Sequence, residues 1–238
     1  MALPRVNETL NFTMTVPSSG DRVKYRPYLV KEEKILLQAF ESGDVTTCLE
    51  AMIDTLSACL DAKEKVDLSK LATFDVEYMF TQVRGKSVGE SSTILVKCKE
   101  CGEPNEYVVD LEELVVDVTQ TDNIIEINSD ISVEMKYPTY ENLMGANVDK
   151  IQANDTESAM ELLAASIGAV LTDDERIDCA EQKLSEVVDF LSSMTTGQLQ
   201  NVSQFLEDMP ALKHQAEFDC KKCETHNEME LKGLSDFF

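Results

Sequence analysis

Basic charge is what this chain has least of. Against 45 acidic side chains stand 21 lysines and arginines, a net charge of −24 over 238 residues. Contact with a phosphate backbone needs clustered Lys and Arg, so the balance argues against nucleic-acid binding and equally against adhesion to an anionic membrane. Long apolar runs are missing as well. The longest, Leu162 to Leu171, is broken by Ser166 and Gly168 and falls short of the roughly 20 residues of a membrane-spanning helix. The first residues, Met1 to Thr9, lack a basic end followed by an apolar core, so no secretory signal is expected and the sequons at Asn7, Asn11, Asn154 and Asn201 carry no weight. The nine glycines are scattered and form no phosphate loop or dinucleotide fingerprint. With only two histidines, His214 and His226, a Ser-His-Asp or Cys-His apparatus has almost nothing to be built from. The expectation is a protein that is not an enzyme. An odd count of seven cysteines is no disulfide framework, and the chain reads as a resident of a reducing cytoplasm.

What is present suffices for a folded core. A hydrophobic fraction of 43% is above what disordered chains carry at this charge. Leu10, Phe12, Met14 and Val16 alternate along one side of a strand, Pro17 to Asp21 signal a turn, and Val23 and Tyr25 continue as a second strand. A helix is expected from near Lys31 to Ser42-Gly43, another capped by Thr46 or Thr47, and a third starting between Asp67 and Ser69. From Ser91 to Met135 the chain turns rich in Val, Ile and Thr with two-residue periodicity, which predicts a small antiparallel sheet. Beyond Thr139 the spacing is helical again: one helix capped by Asp155 or Thr156 running through Leu162 and Ile167, one through Leu184 to Leu191, one through Leu199 to Leu206. The tail from Lys213 returns to strand character.

One constellation carries chemistry. Cys98-Lys-Glu-Cys101 and Cys220-Lys-Lys-Cys223 sit in matching surroundings: a strand enters each knuckle, Asn-Glu follows four and five residues after the second cysteine, and a strand leaves. Two intervening residues let both sulfurs of a pair point at one ion. Tetrahedral Zn2+ takes four such ligands, and two knuckles supply Cys98, Cys101, Cys220 and Cys223. Lys97, Lys99, Lys221 and Lys222 would partly offset the charge of a four-thiolate centre. Four sulfurs leave no position for a reacting water, so the zinc is expected to be structural. The alternative is a cytosolic thiol-disulfide redox protein using one Cys-x-x-Cys pair, but that motif belongs at the start of a helix, and these pairs sit between strands. His226 lies three residues beyond Cys223 as a competing ligand, more economically a solvent-facing ribbon position. Cys48, Cys59 and Cys179 fall in expected helices and read as core residues.

Several stretches resemble a known family. Leu10 to Tyr28 with Arg26-Pro-Tyr-Leu-Val-Lys-Glu-Glu-Lys34, then Phe74-Asp-Val-Glu-Tyr-Met-Phe80 and Val83-Arg-Gly-Lys-Ser-Val-Gly89, and the ending Cys220-Lys-Lys-Cys-Glu with Gly233-Leu-Ser-Asp-Phe-Phe238, are similar to the baseplate hub assembly proteins of T-even-like contractile-tailed phages. The resemblance implies a phage morphogenesis protein of the bacterial host cytoplasm, acting in hub assembly or remaining in the tail baseplate. Its partners would then be other tail and hub proteins, with no enzymatic activity. A strongly acidic chain resists self-association and suits basic or apolar surfaces of unassembled subunits. Phe237 and Phe238 are a candidate partner-docking peptide, or else fold back onto the ribbon.

The fold class expected is α+β. The chain is read as one intertwined unit, 1–238. It is divided into an N-terminal hairpin with amphipathic helices (1–89), a β-rich region with the first knuckle (90–137), a helical region (138–212) and a second knuckle completing a zinc ribbon (213–238).

Overall fold

The structure is a computed structural model that describes residues 12–61, 66–118, 122–145 and 155–237. Strands β1 (Phe12–Thr15) and β2 (Arg22–Tyr25) pair antiparallel, Phe12 opposite Tyr25, and bury Met14, Val23 and Tyr25 on one side as the alternation demands. Leu10 lies outside the described residues. Helix α1 (Val30–Ser42) ends at Gly43, whose φ of 68° is the left-handed conformation that glycine adopts without strain. Helix α2 (Val45–Cys59) is capped by Asp44, which accepts from the Thr47 amide at 2.7 Å. The cap falls on Asp44 and not on Thr46 or Thr47, because its carboxylate reaches the free amide first. Buried Arg26 ties three elements together, donating to Glu32 of α1 and to the Ala58 carbonyl of α2, each at 2.9 Å. Helix α3 (Thr73–Val88) starts later than expected, because Leu68–Lys70 forms a separate 3-10 turn. Asp75 in its first turn accepts the Ser18 amide and hydroxyl at 2.9 and 2.5 Å, which ties the β1–β2 turn to the start of α3.

After α3 come β3 (Ser91–Lys97) and β4 (Pro104–Asp110), a hairpin in register from Ser91 opposite Asp110 to Lys97 opposite Pro104, then the short β5 (Val115–Val116). The next stretch builds a four-stranded antiparallel sheet in the order β6 (Ile124–Glu126), β7 (Ile131–Met135), β8 (Ile167–Thr172) and β9 (Arg176–Asp178). Helices α4 (Tyr140–Gly145) and α5 (Thr156–Ala165) lie between β7 and β8, and α6 (Leu184–Ser192) and α7 (Thr196–Glu207) follow β9. Asp155 caps α5 as expected, but the helix stops at Ala165 and Ile167 opens strand β8 instead. Gly168 explains the switch: a side chain there would meet the Glu134 carbonyl at 3.3 Å, so β8 lies against β7 where helix was foreseen. Val133, Met135, Leu163, Ile167, Val187, Leu191, Val202 and Phe205 fill the core between sheet and helices.

The chain then returns as β10 (Leu212–Asp219) and β11 (His226–Lys232), a hairpin from Lys213 opposite Lys232 to Asp219 opposite His226. The free side of β10 pairs with β5, Leu212 opposite Val116. Val96, Val109, Leu111, Leu114, Leu212, Ala216, Leu231 and Phe237 close the core between the two hairpins. Each valine, leucine or phenylalanine among them, fully buried, contributes about 1.5–3 kcal/mol. The architecture is α+β. Contacts divide the chain into two compact units. One holds residues 1–68, 74–118 and 210–238; the other holds 69–73 and 119–209. Both knuckles belong to the first.

Candidate metal centre

Each knuckle is a tight turn at a hairpin tip. In the first, the Cys98 amide donates to the Glu103 carbonyl and the Gly102 amide to the Cys98 carbonyl, both at 2.9 Å. In the second, the Cys220 amide donates to Thr225 at 3.0 Å and the Glu224 amide to Cys220 at 2.9 Å. The turn needs a left-handed residue after the second cysteine. Gly102 (φ 70°) supplies it without strain, and Glu224 (φ 59°) supplies it at a cost.

The two tips meet. Cys98 Sγ lies 3.7 Å from Cys223 Sγ, Cys101 Sγ lies 3.6 Å from Cys220 Sγ, and all four sulfurs fall within 4.8 Å of one another. Among the described residues this is the one group of three or more histidine, cysteine or acidic side chains placed to share a metal ion. Cys98 and Cys220 are buried, Cys101 and Cys223 exposed, so the site sits at the surface end of the hairpin pair.

Two buried asparagines lock the knuckles together. Asn105 accepts the Lys221 amide and Asn227 accepts the Lys99 amide, both at 2.9 Å. Their side-chain amides donate to the Glu103 and Thr225 carbonyls at 2.8 Å and point at sulfur, Asn105 toward Cys220 at 3.7 Å and Asn227 toward Cys98 at 3.5 Å. These are the asparagines of the repeated Asn-Glu. The repeat was visible in the sequence; the exchange between knuckles was not. The lysines cross over too: Lys222 pairs with Glu103 at 2.7 Å, and the Lys99 ammonium donates to the Glu228 carbonyl. Exposed pairs of this kind contribute little.

The electrostatics describe thiols competing for charge. Backbone amides of Cys223 and Lys222 pull the Cys220 thiol down to about 6, and the Cys101 amide foremost lowers Cys98. Cys101 accepts from the Glu103 amide, yet desolvation and its hydrogen bonds with the other three sulfurs push it up to about 12. Four ionised sulfurs this close need a cation between them.

His226 is not in the cluster. Its Nδ1 lies 2.9 Å from Asp219 Oδ1 on the exposed surface, and that hydrogen bond raises its pKa. His214 Nε2 lies 3.0 Å from the Tyr107 hydroxyl. Cys59 is buried in α2, its thiol pushed up to about 11 by desolvation, and Cys48 of the same helix is half-buried. Cys179 sits in a 3-10 turn, not a longer helix, and packs on the core between the four-stranded sheet and its helices. Of the two readings open for Phe237, docking outward or folding back, its surroundings fit the second. Its ring is fully buried and its carbonyl accepts from the Ser92 hydroxyl at 2.8 Å, so it is a core residue and not an outward docking group. Phe238 lies outside the described residues. Among the described residues no helix is long and apolar enough to cross a membrane.

The family model of the T4 bacteriophage base plate protein matches residues 9–238, nearly the whole chain. No curated protein matches it, and no solved structure does.

Proposed function

Because the chain belongs to the T4 bacteriophage base plate protein family, we propose that it acts in assembly of the base plate hub by binding other tail proteins, without catalysis, and that its four cysteines hold one structural Zn2+. The observation that carries the metal is the sulfur spacing. Zn–S bonds of about 2.3 Å in a tetrahedron put sulfurs about 3.8 Å apart. The cross-knuckle distances of 3.6 and 3.7 Å match that edge, and four thiolates are a closed, zinc-preferring donor set. The ion pins β10–β11 to β3–β4, whose cysteines lie 119 or more positions away along the chain. In small domains such a site is worth about 10–16 kcal/mol of apparent binding free energy. The acidic surface keeps free subunits apart in the host cytoplasm and favours basic partner surfaces.

The redox alternative has less support, since each Cys-x-x-Cys joins two strands and neither opens a helix. Metal analysis of the purified full chain separates the two. One zinc per chain, lost in Cys98→Ser and Cys220→Ser together with a lowered melting temperature, is the expected result. A readily cycled disulfide with no stoichiometric metal overturns it. The assembly role is tested by co-purification with individually identified hub proteins from infected cells; failure to enter any tail intermediate overturns that role.

A further inference from the structure

The two hairpins repeat each other residue for residue about the cysteines. Asn105 answers to Asn227, Leu111 to Gly233 and Glu90 to Leu212, with the Leu111 amide donating to Glu90 at 2.7 Å and the Gly233 amide to Leu212 at 2.9 Å. The repeat sets the β4–β10 side of the pair equivalent to the β11–β3 side. On the first, Tyr107 bridges the strands, hydrogen-bonded to His214, with its ring centroid 6.4 Å from that of Phe218. On the second, the answering residues are Met229, Ser92 and Val96, all without a ring. A groove of about 660 Å³ opens there, walled by Thr93–Lys97 of β3 and Met229–Leu231 of β11, with Asp236 at its end.

One wall is an unpaired strand edge. In β3 the residues bonded to β4 alternate from Glu90 to Cys98, so the amides and carbonyls of Thr93, Leu95 and Lys97 face outward. Among the described residues none of these amides has a backbone partner. Leu95 is 71% exposed. The equivalent edge of β10 is partly covered by β5. Asp236 stands at the end of the groove and Glu230, held by Gln215 at 3.1 Å and Lys213 at 3.8 Å, borders it against the single Lys97, in a chain of net charge −24.

We propose that this groove docks one extended, basic segment of another base plate protein, which adds a strand to the free edge of β3 and fills the space above Met229 with an aromatic side chain. The strand edge supplies main-chain hydrogen bonds, the ring replaces the one Tyr107 provides on the opposite side, and alternate Lys or Arg residues meet the acidic rim. This deepens the assembly reading above and rests on it for the identity of the partner.

The probe is the fluorescein-labelled peptide Lys-Val-Lys-Tyr-Lys-Val-Lys-Val-Lys, titrated into the full chain, with a control peptide carrying proline at every valine. Two variants act on different walls. Thr93→Pro removes an outward amide without breaking the β3–β4 ladder, and Met229→Tyr supplies the missing ring. Each is expected to weaken binding at least tenfold while retaining the wild-type metal content and melting temperature, and the proline peptide is expected not to bind. Equal affinity for both folded variants overturns the groove. Amide hydrogen exchange on the unaltered chain decides the matter even where a variant fails to fold: peptide-dependent slowing at Thr93, Leu95 and Lys97 supports the proposal, and no change there overturns it. In infected cells, normal assembly by both folded variants overturns the groove and leaves the hub role standing. If the unaltered chain enters no tail intermediate, the hub role fails, while the peptide measurements still judge the groove.

Discussion

Asn105 and Asn227 trade places across the four-cysteine cluster: each belongs to one knuckle and accepts, at 2.9 Å, the amide of a lysine in the other. Each is 2% exposed. The exchange makes the two tips one unit before any ion is counted, because neither asparagine can be satisfied unless the opposite hairpin is in place.

Replacing either asparagine with alanine takes the acceptor from a part-buried amide of the opposite knuckle, at a cost of about 0.5–1.5 kcal/mol. Aspartate in the same place keeps the acceptor but sets a carboxylate against a sulfur, Cys220 for Asn105 and Cys98 for Asn227. Aspartate variants should therefore lose metal to a competing chelator more readily than alanine variants, by roughly 10–100-fold relative to the parent chain. Zinc competition titrations check the order.

Phe237 fills the ribbon core, so Phe237→Ala should destabilise the chain by about 3–5 kcal/mol. Urea unfolding measures it. A variant with unchanged stability would put the ring outside that core.

Glu77 sets a pH dependence. Burial pushes its carboxyl from an ordinary 4.5 to about 7, and only partial compensation comes from the Leu234 amide. The folded chain therefore binds more protons here than the unfolded chain between those two values, and this group's contribution to stability falls as pH rises from about 4.5 to about 7, then levels. The loss is on the order of 3 kcal/mol. In Glu77→Gln this decline should be absent, read from melting temperatures between pH 5 and 8 against the parent chain.

Glu224 holds a left-handed φ of 59° where the other knuckle has Gly102 at 70°. Glu224→Gly should stabilise by up to about 1 kcal/mol, with metal content unchanged. Differential scanning calorimetry of the metal-loaded chain is the measurement.

Some of this architecture was open to reading residue by residue. The first hairpin, α1 with its Gly43 stop, and the ribbon hairpins follow from local alternation and turn residues, which act over a few positions. The four clustered cysteines were legible because the knuckle spacing is a local geometric demand, repeated with its own asparagine. Boundaries shifted where a distant group intervened. Ile167 carries a helical pattern but pairs as a strand, since Gly168 permits close approach to Glu134.

The pattern of apolar and polar positions, the two knuckles and the excess of acid set the elements, the donor atoms and the sign of the surface, because each depends on neighbours along the chain. Contacts between remote segments decided the rest: which thiols stand face to face, that Phe237 lies inside, that the chain divides into two units, and that one side of the ribbon is closed by Tyr107 while the other is open. These depend on which surfaces exclude water together, and no short window of residues contains that information.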